Sequence, residues 1–153
     1  AEANRFKRGR CVTARIGVVL SPSGGILPKM LPFFNCGFGA VIGSGKQWMS
    51  WIALEDLISI FYSFINDNSF AGPVNVCAPN PVTNSEFTKT LARVLSRPAF
   101  LRIPAFLIKA VLGQMGKETL LASTKVLPKT LQDRGYVFCY PRIKEALSYA
   151  KGK

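Results

Sequence analysis

Histidine is absent from the 153 residues, and acids are scarce: Asp and Glu number 8 against 20 Lys and Arg. Cysteine is thin as well, with Cys11, Cys36, Cys77 and Cys139 spread along the chain and no Cys-x-x-Cys pair. A zinc site would have to gather scattered thiolates without imidazole help, so no metal is expected. The plain expectation is four reduced, buried thiols in a cytoplasmic protein. Long apolar runs are also lacking. The best stretch, residues 98–115, is interrupted by Pro98, Arg102, Pro104 and Lys109, whereas a membrane-spanning helix needs roughly 18 or more apolar residues in a row. The basic opening followed by CVTARIGVVL faintly copies a secretory leader, but Arg15 sits inside the apolar segment, which argues against one. The chain starts at Ala1 rather than Met, so a processed product, an excised fragment or a missing upstream part is expected.

What is present is a core-forming sequence, 48% apolar and only 18% charged. The net charge of +12 invites nucleic acid, an anionic surface or a phosphorylated ligand as partner. Against a nucleic-acid module, only RFKRGR near the start is a dense basic run. Phe33, Phe34, Phe61 and Phe64 are embedded in apolar stretches, as core residues are, rather than interleaved with cations.

The order of elements points to an α/β fold. CVTARIGVVL reads as a buried strand, and SPSGG breaks it. ILPKMLPFF follows as a short helix, with Pro28 and Pro32 restricting its register. QWMSWI reads as a strand. A helix then carries Leu54, Leu57, Ile58, Phe61 and Ile65 at helical spacing. VNVCA is a second buried strand, and Thr83 with Glu86 forms a capping box that opens the next helix. PAFLIKAVLGQM, ETLLASTKVL and PKTLQDRG read as helical pieces, the last ended by Gly135. YVFCY is strand-like. A final helix after Pro141 presents Ile143, Ala146, Leu147 and Ala150. Few strands and a helix-rich second half predict the last part of a doubly wound sheet over 1–80 and a small helical domain over 81–153.

The glycine-rich stretch GFGAVIGSGKQWMSW tests two phosphate-binding motifs and fails both. A phosphate loop aligned on Gly45 and Lys46 puts Ala40 in place of its first glycine and Gln47 in place of Ser or Thr. Gly37, Gly39 and Gly43 miss the dinucleotide spacing by one residue, and no helix follows. The glycines are better read as a tight helix-to-strand connection. A Tyr-x-x-x-Lys pair occurs twice, Tyr140 with Lys144 and Tyr149 with Lys153. Pro141 disfavours helical geometry at Tyr140, and Gly152 weakens the terminus at the second pair. No catalytic residue is expected from either.

Taken in order, RIGVVLSPSGG, MLPFF, IGSGKQWMSWI, APNPVTNSEF, RPAFLRIP, and VLP followed by GYVFCYP resemble the C-terminal portion of one family, over residues 2 to 149. This is the epimerase-like group of extended short-chain dehydrogenases, NAD(P)-dependent relatives of nucleotide-sugar epimerases. The resemblance implies the last strands of a Rossmann-type doubly wound sheet plus a small helix-rich domain on the substrate side. The family's glycine-rich dinucleotide fingerprint and its acid–base Tyr and Lys lie upstream of the matched segments. A chain without them is expected to be inactive alone and to bind no NAD(P) by itself. By the same resemblance Gly17, Val18 and Val19 are cofactor-side residues, and Lys46, Gln47 and Trp48 contact a nucleotide-sugar-like substrate. One departure is plain: the family's histidine position holds Ala53, while Asp56 keeps the acidic position, expected as a cap or polar anchor. The alternative expectations are a basic module for nucleic acid or anionic surfaces, and a non-functional truncated relict.

Overall fold

A computed structural model describes residues 9–104 and 123–151. In chain order the elements are β1 (Val12–Ile16), β2 (Val18–Leu20), α1 (Leu27–Asn35), β3 (Ala40–Ile42), β4 (Trp48–Met49), β5 (Trp51–Ala53) and α2 (Leu54–Asn66). There follow β6 (Gly72–Val76), β7 (Val82–Thr83), α3 (Asn84–Leu95), β8 (Leu101–Ile103), α4 (Lys129–Asp133) and α5 (Ile143–Lys151). Among them β1 pairs with β6, β2 with β5 and β3 with β8, all parallel, while β4 pairs antiparallel with β7.

The expected single strand over 11–20 is one extended run that changes partner at Gly17. The Gly17 amide donates to the Val76 carbonyl at 3.0 Å, and the Val18 amide donates to the Ser50 carbonyl at 2.8 Å. A Cβ on Gly17 would stand 2.8 Å from the Ser50 oxygen, so only glycine lets the two backbones approach this closely. QWMSWI likewise splits at Ser50, into β4 and β5 with different partners.

Buried strands between helical layers should send alternate side chains to opposite faces, and β5 does so. Trp51 and Ala53 enter one apolar cluster with Phe34 of α1, Phe87 and Leu91 of α3, and Ile143, Ala146 and Leu147 of α5. Ile52 enters a second with Ile60 and Phe64 of α2, Val74 and Val76 of β6, and Leu131 of α4. Helices therefore cover both faces, as the α/β reading requires.

Several local expectations hold. Thr83 Oγ1 accepts from the Glu86 amide at 3.2 Å, the last helix buries all four predicted apolar residues, and Gly135 has φ +71° after α4. Others need correcting. The apolar stripe read on α2 is largely its outer face: Ile58, Phe61 and Ile65 are exposed, Ile65 by 74%, while Ile60 and Phe64 are buried. Phe33 is exposed for the same reason, its neighbour Phe34 taking the inward position. Of the cysteines only Cys77 is buried, Cys11 is half-buried, and Cys36 and Cys139 are exposed. Residues 123–127 of the predicted helical ETLLASTKVL are not helical. Residues 105–122, which include most of PAFLIKAVLGQM, lie outside the described residues, as does Lys153.

YVFCY is irregular rather than a strand, and Asp56 supplies the reason. This fully buried carboxylate accepts from the Cys139 amide at 2.7 Å and the Tyr140 amide at 3.0 Å. Those amides bond a side chain on α2 instead of a neighbouring strand. The polar-anchor expectation for Asp56 holds; α2 itself has no side-chain cap.

Candidate functional site

The partner switch at Gly17 opens a cleft of about 490 Å³, lined by Arg15 to Val18, Trp48 to Ser50, Asn75, Cys77, Thr124 and Val126. Its floor follows from strand alternation. On β6, Val74 and Val76 point into the core, leaving Asn75, and Cys77 just beyond, on the other side. Arg15 of β1 stands in register with Asn75.

Residues 124–127 form another wall, stitched down by side chains. Ser50 Oγ donates to the Thr124 carbonyl at 2.8 Å and accepts from the Val126 amide at 2.8 Å. Cys77 Sγ donates to the Val126 carbonyl at 3.4 Å, and Asn75 Nδ2 donates to the Leu127 carbonyl at 3.3 Å. Trp48 donates its amide to Ser123 Oγ and accepts from the Thr124 amide. Lys125 Nζ lies 4.1 Å from the centre of the Trp48 ring, a cation–π contact.

Three of the six predicted site residues meet here: Gly17, Val18 and Trp48. Val19 packs against the α2-side cluster instead. Gln47 is buried and donates to the Ile42 carbonyl at 2.9 Å. Lys46 is exposed on a loop fastened to α3, where the Asn84 and Ser85 amides donate to the carbonyls of Gln47 and Gly45. In the two Tyr-x-x-x-Lys pairs, Tyr140 lies outside α5 and its ring faces Tyr149 at 4.8 Å.

Arg15, Ser50, Asn75, Cys77, Thr124 and Val126 were missed. The signal for two of them was in VNVCA, where polar Asn75 and Cys77 alternate with valine. Thr124 and Val126 carry no local signal, because their place depends on distant Ser50.

Among the described residues the lining offers a guanidinium, an indole face, hydroxyls and an amide, but no carboxylate, imidazole or phenol. Burial pushes the Cys77 thiol up to about 11, so it stays protonated at neutral pH. The arrangement suits recognition, since none of the described lining residues is a His, Asp, Glu or Tyr that could serve as general acid or base. No group of three His, Cys, Asp or Glu among the described residues could hold a metal ion. No described helix is long and apolar enough to cross a membrane.

Comparison with known proteins extends this picture. A family model described as a domain of unknown function, DUF1731, matches residues 103–150. An epimerase family protein of Mycobacterium bovis is 45% identical over 141 residues, covering 92% of this chain and 47% of that protein. A chloroplastic epimerase family protein homolog of Arabidopsis thaliana is 44% identical, covering 90% and 40%. Among solved structures, a human epimerase family protein with NADPH superposes with TM-score 0.90 at 36% identity, over 94% of this chain and 49% of that one. A nucleoside-diphosphate sugar epimerase from Corynebacterium glutamicum gives TM-score 0.73 at 34% identity, over 94% and 26%. The chain spans about half the length of the curated relatives it matches. By sequence and by fold, this stretch resembles the C-terminal part of the epimerase family proteins, relatives of the short-chain dehydrogenase type.

Proposed function

We propose that the chain forms the substrate-side wall of an NAD(P)-dependent nucleotide-sugar epimerase or reductase site and performs no turnover alone. The carrying observation is the cleft at Gly17, which gathers Gly17, Val18 and Trp48 into one lining. In this reading Gly17 and Val18, continued by Val19, pass the nicotinamide. Trp48 offers its indole face to the sugar or base, and Lys46 and Gln47 belong to the loop that leads to it. Arg15 supplies a cation for the diphosphate. Residues 1–80 complete the Rossmann-type sheet, and 81–153 form the small substrate-side domain.

Two relatives support the ligand class: the human protein was solved with NADPH, and the Corynebacterium protein is a nucleoside-diphosphate sugar epimerase. Gly17 itself is explained by the Ser50 carbonyl, so the cofactor assignment rests on the family and the cleft rather than on a missing side chain. With no His, Asp, Glu or Tyr among the described lining residues, proton transfer in this reading falls to other residues.

Calorimetric titration of the purified 153-residue chain with NADPH and with UDP-glucose tests the reading. The expected result is no submillimolar binding of NADPH and no turnover. Weak UDP-glucose binding should quench tryptophan fluorescence and be lost in Trp48→Ala. Turnover of a nucleotide sugar, or tight dinucleotide binding, by this chain would refute it.

A further inference from the structure

Three adjoining depressions, of about 380, 460 and 300 Å³, run along α3 and the start of α5. They share no residue with the cleft at Gly17. Thr90 and Arg93 line all three, and Lys89, Arg142 and Lys144 line one or two of them. Four cations thus border a groove whose only lining acid among the described residues is Glu86. The one ion pair among the described residues is Arg134–Asp67, so none of the four is ion-paired with another described residue.

The placement works against the isolated fold. Lys89 and Arg93 are four apart on one helix face, where like charges repel. Arg142 and Lys144 sit at the start of α5, where the helix dipole disfavours cations. Thr90 is only 8% exposed, and it lines all three depressions. No aromatic residue lines the groove among the described residues, so they offer bases no stacking platform. What the groove offers is charge-assisted donors, with Lys89 and Arg93 one helical turn apart, roughly 5–6 Å.

We propose that the groove between α3 and α5 binds an oligophosphate, a small anion with two or more linked phosphate groups. Arg93, Arg142 and Lys144 hold its oxygens, and the Thr90 hydroxyl donates between them. This site is independent of the cleft at Gly17 and of the function proposed for it.

The test is calorimetric titration of the 153-residue chain with inorganic tripolyphosphate at low ionic strength, with orthophosphate in parallel. Saturable one-to-one binding is expected, tighter for tripolyphosphate. The double variant Arg93→Ala/Lys144→Ala should weaken it by about tenfold or more. Lys29→Ala/Lys129→Ala removes equal charge elsewhere and should change it by less than about twofold. Thr90→Val, which leaves the charge untouched, should weaken binding several-fold. Absence of binding, or equal losses in the two double variants, overturns the proposal. So does tighter binding of a DNA duplex than of tripolyphosphate, which would make the groove a nucleic-acid surface.

Discussion

Replacing Asp56 with alanine isolates one interaction that fixes the C-terminal segment to α2. The carboxylate is fully buried and takes two amide hydrogens, from Cys139 and Tyr140, at 2.7 and 3.0 Å. A hydrogen bond to a charged acceptor contributes about 1.5–3 kcal/mol, and an orphaned buried amide costs a similar amount. Removing a buried charge recovers part of its desolvation cost, so the two losses do not simply add. Asp56→Ala should therefore destabilise by about 3 kcal/mol. Asp56→Asn, which keeps one acceptor oxygen and turns an amide donor toward the second N–H, should cost about 2 kcal/mol. Urea unfolding followed by circular dichroism reads both: with a slope of roughly 2 kcal/mol/M, the alanine midpoint falls by about 1.5 M at unchanged slope. Hydrogen exchange adds a local readout, since the Cys139 and Tyr140 amides should lose protection more than their neighbours in β6. A midpoint within about 0.5 M of the parent, or unchanged protection of those two amides, would refute the reasoning.

Two further outcomes follow from the geometry at the cleft. Gly17→Ala places a methyl group 2.8 Å from the Ser50 carbonyl and should destabilise by about 2 kcal/mol through overpacking, measured by urea midpoint. The Cys77 thiol is raised to about 11 by burial, from an ordinary value of 9.0. The unfolded chain thus releases this proton first, and the thiol's contribution to stability, present below pH 9, is lost as pH rises toward 11. Iodoacetamide at pH 8 should accordingly alkylate exposed Cys36 and Cys139 well before Cys77, as peptide mass spectrometry would record.

How much could be read in advance depended on whether the cause was local. The Thr83 cap on the Glu86 amide, the stop at Gly135 and the apolar face of the last helix are set by residues within a turn or two of each other, and all were legible. The α2 stripe misled because apolar residues cover more than half of that helix's circumference, and only packing decides that Ile60 and Phe64 face inward while Ile58 and Ile65 do not. YVFCY has strand composition, but its amides are claimed by Asp56 some eighty residues earlier. At the cleft, the family pattern led to Gly17, Val18 and Trp48. It gave no sign of the wall at Thr124 and Val126, whose position is dictated by a serine from the other half of the chain.

That wall also bears on when a ligand-shaped cavity can exist at all. The Ser50 bonds to Thr124 and Val126 span 74 and 76 positions, and the Asn75 bond to Leu127 spans 52. Closing such long loops carries its entropic cost before any contact repays it. Helix α3 is capped by its own neighbours, whereas the wall of the recess beside Trp48 cannot be complete in a nascent chain that ends before residue 124.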